Sequence, residues 1–204
     1  SEVERCRALV GVAEGLILAE AHDELLKVLE EAEQIAKTHL LILEQARIHQ
    51  IRGGVLFFRS DIDACIEENM ESLELAREAG APEVEAQALS GLGDIEYSRG
   101  KYSSAAQYFT QCIDLAREHG FSRVLASNLS MLAEILSWQN ELDAAASVAS
   151  EALNLAVRTC NLRAEMLALS IKGFAQGETG DLSGAEISLH RGVEITRLLG
   201  SKIM

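Results

Sequence analysis

A period of forty residues governs this chain. Leu75-Ala76-Arg77-Glu78-Ala79-Gly80 recurs as Leu115-Ala116-Arg117-Glu118-His119-Gly120 and again as Ile195-Thr196-Arg197-Leu198-Leu199-Gly200. Leu155-Ala156-Val157-Arg158-Thr159-Cys160 fills the gap, and Ile35-Ala36-Lys37 stands one period earlier. Further columns share the spacing: Ala13, Gly53, Gly93, Ala133 and Gly173, then Ser60, Gly100, Asn140 and Gly180. A fixed period of this length marks a stacked array, in which each unit leaves an apolar face that only its neighbours can cover.

Within a unit the period is helical. Ala105, Phe109, Cys112, Ile113 and Ala116 share one face, as do Ala145, Ala149, Ala152, Leu153 and Ala156. A column of Asp23, Asp63, Ser103, Asp143 and Ser183 is read as the N-caps of the second helices, where a side-chain oxygen accepts from an orphan backbone N–H. Pro82 suits a first helical position, where its missing N–H costs nothing. The expectation is ten helices in five antiparallel pairs. First helices lie near 3–19, 42–59, 83–99, 123–139 and 163–179, and second helices near 23–38, 63–79, 103–119, 143–158 and 183–199. Small residues at Gly93, Ala105, Ala133, Ala145, Gly173 and Ala185 allow close approach within a pair. The fold class is therefore all-α: a solenoid of about five antiparallel helix pairs forming a single repeat domain over 1–204, with units of about 1–40, 41–80, 81–120, 121–160 and 161–204.

Composition narrows the function. The 204 residues carry 18 Lys and Arg against 32 Asp and Glu, a net charge of −14, which argues against a nucleic-acid partner because phosphate binding needs a basic face. At 48% hydrophobic with one proline the chain is not a disordered or proline-rich segment, and four cysteines are too few for a disulfide scaffold. No run of 18 apolar residues predicts a membrane span, and no membrane partner is expected. Ser1-Glu2-Val3-Glu4-Arg5 lacks the order of a signal peptide, so a cytoplasmic setting is expected. Both ends read as cut from a longer polypeptide.

The residues resemble the tetratricopeptide repeat. The third unit carries its pattern in Leu92-Gly93, Gly100, Ala105 and Phe109, with Cys112 where Ala is usual. The fourth carries Leu132-Ala133, Asn140, Ala145, Ala149 and Ala152, and the fifth Gly173, Gly180, Ala185, Leu189 and Gly192. Units of that family usually run ~34 residues, so these are longer. Longer units look like the arrays of bacterial signalling ATPases, maltose-regulator-like activators and nucleotide cyclases. The segment 79–112, with Ala81-Pro82-Glu83-Val84-Glu85-Ala86 and Gly91-Leu92-Gly93-Asp94, looks like the C-terminal region of ATPase-linked cyclases.

Catalytic patterns are missing. There is no P-loop, since Gly177-Glu178-Thr179-Gly180-Asp181-Leu182-Ser183-Gly184 lacks the lysine and coincides with an inter-helix turn. His22, His39, His49, His119 and His190 contain no HExxH, and Cys6, Cys65, Cys112 and Cys160 contain no CxxC. Cys65 and Cys112 read as buried core thiols, and Cys160 as an exposed residue at a glycine position. Glu30, Glu31 and Glu33, like Glu67, Glu68, Glu71, Glu74 and Glu78, read as solvated faces. No enzyme activity, cofactor or metal is expected in this segment.

The resemblance implies a right-handed superhelical solenoid whose first helices line a concave groove. By repeat position the groove residues are Arg7, Glu14, Arg47, Gln50, Gln87, Ser90, Asp94, Tyr97, Ser98, Ser127, Ser130, Glu134, Ser137 and Trp138. The family's clamp for chaperone tails needs Lys and Asn, but those places hold Gln50 and Gly54, Ser90 and Asp94, Ser130 and Glu134. Tyr97 and Trp138 are either groove anchors or packing between units. The expected function is a regulatory interaction scaffold binding a peptide or helix of some basic character, within a larger signalling ATPase or cyclase. The alternatives are a self-associating adaptor that forms a homodimer through exposed repeat ends, or a peptide or small-ligand sensor.

Overall fold

The computed structural model describes residues 1–19 and 21–200. Among them are ten α-helices: α1 (Glu2–Leu18), α2 (His22–Thr38), α3 (Ile42–Phe58), α4 (Ile62–Glu78), α5 (Pro82–Ser98), α6 (Tyr102–His119), α7 (Ser122–Trp138), α8 (Leu142–Arg158), α9 (Leu162–Glu178) and α10 (Leu182–Leu198). Every start falls twenty residues after the one before, and each lies within one residue of its expected place.

The regularity comes from the turns. Leu40, Ser60, Gly80, Gly100, Gly120, Asn140, Cys160, Gly180 and Gly200 all have positive φ, between 51° and 89°. At Gly100 the N–H donates to the Tyr97 carbonyl at 2.9 Å and the next N–H, of Lys101, to the Glu96 carbonyl at 2.9 Å. That is a Schellman ending, which uses a left-handed residue to satisfy the last carbonyls of a helix. Ser60 with Asp61, Asn140 with Glu141 and Cys160 with Asn161 repeat it. One residue then suffices to launch the next helix.

That economy moves the N-caps. They are Asp61, Asn161 and Asp181, whose side chains accept from Ala64, Ala164 and Gly184 N–H, and positions such as Ala21, Ala81 and Glu141 that cap without a side-chain bond. Asp23, Asp63, Ser103, Asp143 and Ser183 lie two residues further on, inside their helices. The assignment of that column as caps is therefore corrected. The three acids still sit in the first turn, where they favour the positive end of the helix dipole. Pro82 does open α5, as expected.

The chain separates into two compact units, residues 1–108 and 109–204, the division falling within α6. In the first, Cys6, Val10, Ala13, Leu25, Leu29, Ile48, Ile51 and Val55 form one apolar cluster across α1, α2 and α3. In the second, Ile113, Leu125, Leu129, Ala152 and Ala168 form one cluster and Ala133, Ala145, Ala149 and Ile171 another. Small residues set the spacing within pairs. A methyl on Gly173 of α9 would stand 2.7 Å from Leu189 Cγ of α10, closer than packed atoms allow. The Asn69 side chain fills the room left by Gly53 and Gly91, and its Nδ2 donates to the Cys65 carbonyl at 2.8 Å. Within each unit first helix packs against first helix, α1 on α3, α3 on α5 and α7 on α9. The fold is an all-α solenoid of helix pairs. No described helix is long and apolar enough to cross a membrane.

Candidate functional site

In the first unit the residues singled out on α1, α3 and α5 divide by burial. Arg7 is exposed, and its Nε donates to Glu44 Oε1 at 2.6 Å across from α1 to α3. Glu44 is only 4% exposed, so this guanidinium is the compensating charge for a buried carboxylate. Arg47 of α3 reaches back to Glu14 of α1 at 2.6 Å. Gln50, Gln87, Ser90, Asp94 and Tyr97 are half-buried. The Tyr97 ring meets that of Tyr102 with centroids 5.4 Å apart and planes tilted by 58°, so the aromatic contact of Tyr97 lies within its own helix pair.

In the second unit the residues of α7 behave differently from one another. Ser130 is fully buried, and its hydroxyl donates to the Ala126 carbonyl at 3.0 Å and the Ala164 carbonyl at 3.3 Å. It joins α7 to α9 and offers no free surface, contrary to its expected place in the groove. Ser127 accepts from Asn161 Nδ2 at 3.0 Å and helps hold the turn before α9. Glu134 and Ser137 are half-buried. Trp138, the last residue of α7, is 68% exposed, which removes the reading that it packs between units.

Two carboxylates assigned to solvated faces are inside. Glu33 of α2 and Glu68 of α4 flank Arg52 of α3, and all three side chains are less than a fifth exposed. Arg52 pairs with Glu33, and its Nη1 stands 3.2 Å from Glu68 Oε1. His49 Nδ1 lies 2.7 Å from Glu68 Oε2, and Lys37 Nζ 2.6 Å from Glu33 Oε1. Burial acts to raise the Glu33 pKa, but the hydrogen bonds from Lys37 and Arg52 outweigh it and hold the carboxyl below its ordinary value. The repeat columns carried the signal for this network. Glu33 shares its column with Leu73, Ile113, Leu153 and Val193, and His49 with Leu89, Leu129 and Leu169. Charge in an otherwise apolar column is charge turned inward.

The cysteines follow their columns. Cys6, Cys65 and Cys112 are buried and Cys160 is exposed. Desolvation raises the Cys65 thiol to about 11, and its Sγ donates to the Gly53 carbonyl at 3.1 Å. It is a core donor, held as the unreactive thiol. Among the described residues no three His, Cys, Asp or Glu side chains gather to hold a metal ion.

Residues 44–118 match the family model of the tetratricopeptide repeat. No curated protein matches the chain in sequence. Among solved structures it is similar to the signal transduction ATPase with numerous domains from Pyrococcus horikoshii that carries a tetratricopeptide repeat sensor. That match has a TM-score of 0.76 at 18% identity, over 97% of this chain and 31% of that one. Aspartyl phosphate phosphatase F from Bacillus subtilis matches with a TM-score of 0.73 at 12% identity, over 96% of this chain and 60% of that one. YrrB, a tetratricopeptide repeat protein with an unusual peptide-binding site, matches with a TM-score of 0.57 at 13% identity, over 93% and 85%. The chain thus spans less than two thirds of the first two. At such identities the likeness is one of fold.

Proposed function

With residues 44–118 matched to the tetratricopeptide repeat and the whole chain sharing the fold of such arrays, we propose that this segment is a non-catalytic interaction and regulatory scaffold. Its first helices bind a peptide or helix, and it works as one repeat domain inside a larger signalling ATPase or cyclase. The sensor role named for the P. horikoshii ATPase supports the setting, and the peptide site named for YrrB supports the ligand class. Arg7, Glu14, Arg47, Gln50, Gln87, Ser90, Asp94 and Tyr97 are the proposed contacts in the first unit, and Ser127, Glu134 and Trp138 in the second. The charge balance supports some basic character in the partner. Residues 1–108 hold 10 Lys and Arg against 21 Asp and Glu, whereas the rest hold 8 against 11. Such a field draws basic segments.

The observation that carries the proposal is Trp138, a large aromatic left 68% exposed at the end of a first helix. It is also the chain's only tryptophan, so binding beside it reports directly. A basic peptide selected by display should shift its fluorescence to the blue. Trp138→Ala should abolish binding of that peptide, followed by calorimetry, and leave the melting temperature within about 2 °C, as for an exposed side chain. Binding that survives Trp138→Ala sinks the assignment.

A second reading, self-association, rests on the terminal helices. Leu189 and Val193 of α10 are 44% and 49% exposed, while Phe109 and Ile113 in the same columns are buried. Val12 of α1 is 52% exposed, and Leu92 in its column is buried. Sedimentation equilibrium decides: a dimer lost in Leu189→Lys supports self-association, and a monomer at all concentrations excludes it.

A further inference from the structure

One repeat column is basic in four units and broken in one. Lys37, Arg77, Arg117 and Arg197 stand forty or eighty residues apart near the ends of α2, α4, α6 and α10. The corresponding residue of α8 is Val157, 55% exposed. At one unit the column reaches the next helix, whereas Lys37 pairs with Glu33 and Arg117 with Glu151. Arg77 Nε donates to Glu85 Oε1 of α5 at 2.8 Å, eight residues on. Eight residues after Val157, in the column of Glu85, stands Glu165 of α9. That column is acidic only at Glu85 and Glu165, with Gln45 and Leu125 in two other units, and Glu165 faces Val157 where Glu85 faces Arg77.

Beside Val157 a cleft of about 690 Å³ opens between α8, α9 and α10, lined by Leu153, Asn154, Val157, Arg158, Glu165, Leu169 and Arg191. The Glu165 side chain is nine-tenths buried, and no hydrogen bond to it forms among the described residues. Its nearest cation, Arg191 Nη2, stands at 3.6 Å, in ion-pair range but too far for a hydrogen bond. Arg191 is half exposed and also pairs with Glu194 at 3.2 Å. By simple count the lining carries two guanidiniums to one carboxylate. The two guanidiniums are the more exposed groups and are the more screened by water and salt. Glu165 is the one carboxylate of the lining, and it accepts no hydrogen bond among the described residues.

We propose that this cleft receives an arginine side chain from a partner polypeptide. Its guanidinium donates to Glu165, and its aliphatic stem lies on Leu153, Val157 and Leu169, in the manner of Arg77 beside Glu85. Arginine suits the place better than lysine, since its planar fork can give a carboxylate two parallel hydrogen bonds and is more easily desolvated. The site does not draw on the first-helix residues assigned above to peptide binding.

The test is an amide-shift titration of the 15N-labelled chain with N-acetyl-arginine N-methylamide, alongside the neutral citrulline and anionic glutamate counterparts. The arginine compound alone should give saturable shifts centred on residues 153–169 and 191. Glu165→Gln, which keeps shape and removes charge, should weaken binding about tenfold or more. Val157→Arg should give Glu165 the pair that Arg77 makes with Glu85, raise the melting temperature and abolish the shifts, because the protein then fills its own cleft. Shifts with the glutamate compound would make the cleft an anion site on Arg158 and Arg191 and overturn the proposal. So would equal binding of the arginine and citrulline compounds, absence of shifts with any of the three, or undiminished binding to a folded Glu165→Gln chain. Should Glu165→Gln fail to fold, Val157→Arg decides alone, and a lowered melting temperature with binding retained counts against the proposal.

Discussion

Nine residues at twenty-residue intervals carry the turns, and four of them are not glycine. Leu40 and Cys160 have φ of 53° and 51°, where a side chain crowds the backbone at a cost of about 1 kcal/mol. Leu40 is 77% exposed, so its side chain repays nothing by packing. Leu40→Gly should raise the melting temperature by about 1–2 °C, the relieved strain being partly offset by the freer unfolded chain. Cys160→Gly should do the same, and differential scanning calorimetry of each variant checks it. Sequence reasoning placed Cys160 correctly because a column of glycines named its conformation. It placed the caps two residues late, because several residue types can follow a left-handed turn and only hydrogen bonds decide which one starts the helix. The thiols give a second prediction at this scale. Native protein should yield one titratable thiol to a disulfide reagent at neutral pH, and all four only on unfolding, since burial keeps Cys6, Cys65 and Cys112 out of reach and raises the first two above ordinary values.

The helices were legible almost to the residue, since an apolar face at period 3.6 and a turn every twenty residues leave little freedom. Their polar interior was not. Glu33, Arg52, Glu68 and His49 look like surface residues one at a time, and only the meeting of α2, α3 and α4 turns them toward each other. The Glu33 carboxyl has a lowered pKa in the folded state. Its contribution to stability is therefore complete above the ordinary carboxylate range and is lost as the pH falls through the folded-state value. At neutral pH Glu33→Gln should cost about 2 kcal/mol, as for a charged hydrogen-bonded partner removed from a part-buried site. Urea unfolding of both proteins should show that difference shrinking toward zero in acid. A constant difference would mean that Glu33 acts by shape and not by charge.

Across the whole molecule, stability in a stacked array depends on neighbours. α5 buries Val84, Ala86, Ala88, Leu89, Leu92, Gly93 and Ile95, whereas α10 buries Ala185, Ser188, Gly192 and Ile195 and leaves Ile187, Leu189 and Val193 open. Amide protons in α10 should accordingly exchange at least about tenfold faster than those in α5 under native conditions, a difference of ~1.4 kcal/mol in local opening. Equal protection would show that the array opens only as a whole. The sequence by itself determined the helix count, the pairing period, the small-residue contacts and the absence of nucleotide or metal patterns, because each is local or recurs at a fixed spacing. Only the tertiary structure decided which side chains remain available. It closed Ser130, opened Trp138, drew Glu33 and Glu68 inward and left Glu165 in a cleft with no hydrogen bond to its carboxylate. Availability depends on what the neighbouring helix places opposite a residue, and a repeat column specifies the position while leaving that neighbour's side chain free to differ.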